Sequence, residues 1–213
     1  MATYDLEEQE QLDELKAWWK RWGNLTLLGA AIVMAAAGGW RYWQHQAETD
    51  RMEAAAVFGK LTQSLQAGDA KTARDVGAVL IDKYPRTAYA PRAALLLGKL
   101  NYGNKDAKSA QAQLEWVIAN SKEVALKDLA RLRLAGILLD EKQYDAAMKQ
   151  LDSPHSDAFG FRFDDLKGDV LFAQGKNAEA RSEYQASFNK MVAENPYRAV
   201  VELKLDGLGG PTK

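Results

Sequence analysis

From Gly23 to Trp40 the chain carries no formally charged side chain, and this run constrains everything else that it can fold into. The stretch Trp22–Trp43, WGNLTLLGAAIVMAAAGGWRYW, would reach roughly 33 Å as a helix, enough to cross a bilayer's hydrocarbon core. Aromatic rings stand at both edges: Trp18, Trp19 and Trp22 before it, Trp40, Tyr42 and Trp43 after it. Such rings favour the water–lipid boundary, where the ring is half buried and its polar atom stays wet. A buried helix of a soluble domain would need no such girdles. A cleaved secretory signal is the stronger rival, with Lys16, Lys20 and Arg21 as its basic region, Leu25–Met34 as its apolar core and Ala35-Ala36-Ala37 as its cleavage site. The acidic leader and the aromatic-basic cluster favour a retained anchor over residues 22–43.

The flanks give the anchor a direction. Residues 1–21 form an acidic tail in which Leu6, Leu12 and Leu15 alternate with carboxylates, compatible with a short amphipathic helix or with a solvated tail. Lys16, Lys20 and Arg21 precede the span closely, whereas Arg41 and Arg51 follow it. Basic residues set orientation and acidic ones count for little, so the bias predicts a cytoplasmic N-terminus and an extracytoplasmic remainder. Within the span, Ala31, Ala35 and Gly39 stack small side chains on one helix face, a spacing that permits close helix–helix contact but also arises by chance in an alanine-rich segment.

The remaining residues, about 170, suffice for one well-cored domain. With no cysteine among 213 residues, disulfides, thiol catalysis and zinc–thiolate sites are excluded. The overall charge of −1 conceals a tail with six acids and three bases ahead of a nearly balanced remainder. That remainder lacks the basic stripe that nucleic-acid binding requires.

After Gln44 a repeat emerges. Ala73, Ala110, Ala147 and Ala180 are separated by 37, 37 and 33 residues, close to the tetratricopeptide period of about 34. Each alanine follows a turn: Gly68-Asp69, then Gly103 to Asp106, Asp140 to Gln143, and Gly175 to Asn177. Small residues at Gly98, Ala135 and Gly168 in the preceding helices would let the two helices of each unit approach closely. The first unit is expected over Met52–Pro85, the second from near Tyr89, and the third ends at Pro154. Pro196 closes the fourth, and YRAVVELKLDGL would be a capping helix. The expected fold is all-α: one transmembrane helix followed by a tetratricopeptide-like α-solenoid over residues 44–208, with a disordered tail at 209–213.

No arrangement of residues supports catalysis, a cofactor or a metal. His45 and His155 lie far apart and lack metal-ligand spacing. His155 beside Ser153 and Ser156 reads as a polar turn rather than an acyl-transfer site, since a triad needs geometry that adjacent loop residues rarely give. Asp164, Asp165 and Asp169 read as a solvated helix face. Binding is the function left. Stacked helix pairs curve, and their first helices line the concave face. Aligned on Gly98, Ala135 and Gly168, the inward positions include Arg92, Lys99, Tyr102, Arg133, Arg162 and Phe172. Guanidinium and aromatic groups in a groove suit an extended peptide or a partner's flexible segment.

A family resemblance adds to this. The span ending in Gly39-Trp40-Arg41-Tyr42-Trp43, the stretch Leu132-Arg133-Leu134-Ala135 leading to Tyr144-Asp145-Ala146-Ala147, Asp165-Leu166-Lys167-Gly168-Asp169 and the closing Leu203-Lys204-Leu205-Asp206-Gly207-Leu208 resemble the YfgM family of ancillary subunits of the bacterial Sec translocon. The likeness covers nearly the whole chain, with the first unit departing most from the repeat. It implies an inner-membrane protein with a periplasmic domain, associated with the SecYEG channel and the periplasmic chaperone PpiD, assisting exported client proteins. A membrane-tethered adaptor for cell division or wall assembly would use the same groove.

Overall fold

The structure, a computed structural model, describes residues 3–209 and contains no strand among them. The tail expected to be disordered at 209–213 lies outside the described residues except for Gly209. Two compact units divide the chain at residues 1–50 and 51–213. Helix α1 (Thr3–Gln66) begins in the first unit and ends in the second.

In the first unit the apolar run of α1 has nothing to bury it. Leu25, Leu28, Ile32, Val33 and Met34 are all more than half exposed, and so are Trp19, Trp40 and Trp43 at its edges. A soluble unit would lose on the order of 1.5–3 kcal/mol for each such side chain left in water. A helix this long and this apolar, yet open on every side, suits hydrocarbon as its solvent.

The second unit is a succession of antiparallel helix pairs. The end of α1 pairs with α2 (Ala70–Lys83), α3 (Tyr89–Gly103) with α4 (Ala107–Asn120), α5 (Val124–Asp140) with α6 (Tyr144–Leu151), and α7 (Gly160–Ala173) with α8 (Asn177–Lys190). A terminal helix, α9 (Arg198–Asp206), packs on α8. Ala73, Ala110, Ala147 and Ala180 have no exposed surface, as helix crossings in the expected register require. Their small side chains let the partner helix approach: Leu114 lies where a Cβ on Gly98 would come within 3.3 Å, and the Tyr184 ring lies 2.4 Å from where one on Gly168 would stand.

The turns within the pairs share one backbone solution. Gly68, Lys105, Lys142 and Gly175 all adopt positive φ, between 60° and 79°. They recur with the same spacing as the alanines, since both mark the same position in each unit. In the α3–α4 pair the left-handed residue is thus Lys105, and Gly103 instead ends α3. Asp69 and Asp106 follow the first two of these positions and cap the next helix, each accepting a bond from the backbone N–H three residues on at 3.0 Å. Three apolar clusters run along the solenoid, one at each end and one across α3 to α7. Each pair therefore depends mainly on its neighbours.

Candidate protein-binding groove

The first helices of successive pairs touch one another, α3 to α5 and α5 to α7. They form one layer, and α5 lies in the middle of it. Two cavities open along α5. One, of about 340 Å³, is bordered by Lys99, Tyr102, Leu114, Arg133, Gly136 and Asp140. The other, of about 520 Å³, is bordered by Arg133, Gly136, Phe159, Arg162, Leu166 and Tyr197. Arg133 and Gly136, one helical turn apart, border both.

The polar groups of this groove are not equally committed. The Tyr102 hydroxyl donates to Asp140. That bond, helped by partial burial, pushes the phenol above its ordinary range. Arg133 donates from Nη1 to the Leu95 carbonyl at 3.1 Å and makes no ion pair with a described carboxylate. Burial pushes its guanidinium below the ordinary arginine range. Arg162 lies 4.0 Å above the Tyr197 ring. There a flat cation rests on the negative face of the aromatic system.

At the C-terminal end the groove is braced by a charge network. Lys204 on α9 reaches Asp165 at 2.7 Å and both oxygens of Asp169 at 2.7 and 2.9 Å. The Tyr197 hydroxyl donates to Asp165 at 2.6 Å and the Tyr184 hydroxyl to Asp169 at 2.8 Å. Burial first, then the carboxylate that accepts from each, pushes both phenols well above the usual tyrosine range. These acids are therefore not the solvated helix face that the sequence predicts. Asp164 and Asp165 are buried, Asp164 paired with Lys190 at 2.6 Å and Asp165 with Lys204. Their cations come from α8 and α9, too far along the chain for local charge patterning to reveal.

Of the groove residues expected from sequence, Lys99, Tyr102, Arg133 and Arg162 lie together along the two cavities. Arg92 and Phe172 do not. Arg92 holds Glu123 through two bonds of 2.8 and 2.9 Å and donates to the Ala88 carbonyl, which ties the start of α3 to the start of α5. Phe172 is 53% exposed and borders a separate cleft of about 170 Å³ with Leu203 and Lys204. In the first unit, Ala31, Ala35 and Gly39 are exposed, and beyond its own stretch of helix no described atom lies within 4 Å of a Cβ placed on Gly39. Gly136 escaped the sequence reading because its neighbour Ala135 carries the packing role. Its signal was a glycine within a helix rather than in a turn, a residue that normally costs helix stability.

The polar loop before α7 is a structural clasp. Asp128, fully buried, accepts from the Ser156 backbone N–H at 3.0 Å and from its hydroxyl at 2.7 Å. The Ser153 hydroxyl donates to the Lys149 carbonyl, and His155 stacks on Phe163 with ring centres 4.1 Å apart. Both serine hydroxyls thus donate to groups other than His155. Among the described residues no group of three or more histidines or acids could hold a metal ion.

Comparison with known proteins agrees with this architecture. Residues 16–210 match the tetratricopeptide repeat-like domain family. A protein from Neisseria gonorrhoeae named ancillary SecYEG translocon subunit is 33% identical, across 98% of this chain and 100% of its own. Proteins of the same name from Haemophilus influenzae and Escherichia coli are 28% and 26% identical, covering 86% and 98% of this chain and 89% and 99% of theirs. With a membrane-length helix leading into four helix pairs among the described residues, and with likeness from end to end, the chain belongs to the tetratricopeptide repeat-like family of ancillary SecYEG translocon subunits.

Proposed function

We propose that the chain is a membrane-anchored accessory subunit of the Sec translocon, non-catalytic, whose repeat groove binds protein segments on the periplasmic side. One observation carries the reading: a single chain joins an exposed, bilayer-long helix to a repeat domain, and relatives named for the translocon align with both parts. The anchor's chemistry fits the task. It tethers the repeat domain to the membrane that an emerging, still unfolded chain crosses. The basic residues Lys16, Lys20 and Arg21 ahead of the span favour a cytoplasmic N-terminus. The domain limits then follow as a cytoplasmic tail to residue 21, an anchor over 22–43 and a periplasmic repeat domain over 44–208. SecYEG would be the membrane partner, the chaperone PpiD a periplasmic one, and exported proteins the clients. Lys99, Tyr102, Arg133 and Arg162 border the cavities that would receive a segment.

The test is recovery of partners from native membranes. The affinity-tagged full chain, extracted in mild detergent after crosslinking, is expected to bring down SecY. Recovery of only wall-synthesis or division proteins would overturn the reading in favour of an adaptor for those systems.

A further inference from the structure

One glycine lies in the interior of each of α3, α5 and α7, and the three do different things. Gly98 and Gly168 make room for Leu114 and Tyr184 of the paired helix. Gly136 makes room for no other element among the described residues: beyond its own stretch of helix, no described atom lies within 4 Å of a Cβ built on it. It occupies the interior of α5, where glycine is a poor helix former, and it borders both cavities. Without a side chain it leaves the helix backbone open to close approach at the point where the two cavities meet.

The cations that border that opening have no carboxylate partner among the described residues. Lys99, Arg133 and Arg162 make no ion pair with any described carboxylate. The acids nearby are already engaged, Asp140 by Tyr102 and Asp165 and Asp169 by Lys204 and two tyrosines. Arg133 has lost part of its hydration without gaining a carboxylate, and its lowered pKa reports that loss. Its planar fork can bind a carboxylate through two parallel bonds.

We propose that this groove takes an extended acidic peptide segment, with its main chain crossing α5 over Gly136 and a carboxylate seated on Arg133. The proposal rests on the binding role given above and names the chemistry of what is bound. Lys99 and Arg162 lie on either side of Arg133 and would attract further acids along the same segment. Apolar surface from Phe159 and Leu166, both part-exposed, would cover the segment's remaining side chains in the second cavity.

The experiment uses the full chain in detergent micelles and two fluorescein-labelled peptides, one alternating glutamate with glycine and one alternating glutamine with glycine. Fluorescence anisotropy is expected to show the glutamate peptide binding at least about tenfold more tightly, with the advantage shrinking as salt is raised. Arg133→Gln should remove most of that preference. Gly136→Leu should abolish binding of both peptides while leaving the thermal midpoint at or above that of the parent, because its side chain enters open space. Equal binding of the two peptides, binding of neither, or undiminished binding by a folded Gly136→Leu would each overturn the proposal. SecY recovery with the unsubstituted chain keeps the two readings apart. Equal binding of the two peptides by that chain with SecY still recovered sinks this inference alone, and preferential binding of the glutamate peptide without SecY recovery sinks only the translocon assignment.

Discussion

Single residues show where this fold is tuned and where it is not. Two of the four left-handed turn positions are glycines, Gly68 and Gly175, and two are lysines, Lys105 and Lys142. A lysine there brings its Cβ close to the following carbonyl, which costs roughly 1–2 kcal/mol relative to an unstrained conformation. Lys142→Gly should relieve that strain, partly offset by the greater freedom of glycine in the unfolded chain. The expected net gain is about 1 kcal/mol, read as a raised midpoint in thermal unfolding of the full chain; a lowered midpoint would mean that the Lys142 side chain supports the turn in some other way. The alanine register was legible in the sequence because small residues at helix crossings repeat with the unit itself. The shared turn conformation was not, since a lysine carries no local mark of positive φ. Gly136 was hidden for a different reason: its neighbour Ala135 carries the packing role that the repeat register marks, and a glycine inside a helix was its one signal.

At the scale of elements, the terminal helix is the least self-evident part of the solenoid. A stack of pairs must end on a face that would otherwise stay exposed, and α9 covers that face with Val201 and Leu205, both fully buried. Sequence indicated the helix through the stop at Pro196 and the apolar spacing after it. It did not indicate how the helix is held, because Asp165 and Lys204 are 39 residues apart and meet only in the folded stack. Lys204 neutralises Asp165, whose side chain is 4% exposed, and Asp169, at 28%. Removing the cation would leave two carboxylates close together in a partly desolvated site. Breaking a fully buried pair costs about 3–5 kcal/mol, and the 25% exposure of Lys204 lowers the expectation for Lys204→Met to about 2–3 kcal/mol. Adding Asp165→Asn and Asp169→Asn to that variant should recover part of the loss, because the uncompensated charge is then gone. Denaturant melts of the parent, Lys204→Met and the triple variant measure both quantities. A triple variant no more stable than Lys204→Met would show that the lysine acts through packing on the Tyr184 ring, 5.2 Å from its ammonium, rather than through charge.

For the whole molecule the decisive question is which side of the membrane each part faces. The chain offers two kinds of evidence, and they are unequal. The apolar length of the span and its aromatic edges fix that it lies in the bilayer far better than they fix its direction, since similar rings stand at both ends. Direction rests on Lys16, Lys20 and Arg21 against Arg41 and Arg51, a margin of one basic residue made somewhat stronger by how tightly the first three cluster. The repeat groove can meet exported chains only if that small bias is obeyed. The chain contains no cysteine, so a single introduced thiol reports its own location without background. Gln11 and Ala178 are both exposed positions, one in the acidic leader and one at the start of α8. In spheroplasts, where the outer membrane is open and the inner one intact, a membrane-impermeant maleimide should label Ala178→Cys at once. Gln11→Cys should react only after detergent is added. Labelling of Gln11→Cys with protection of Ala178→Cys would place the groove in the cytoplasm, and the charge margin ahead of the span would then have been overruled. Labelling of both before detergent would mean that residues 22–43 do not span the membrane at all, and the exposed apolar surface of α1 would need a protein partner in place of lipid.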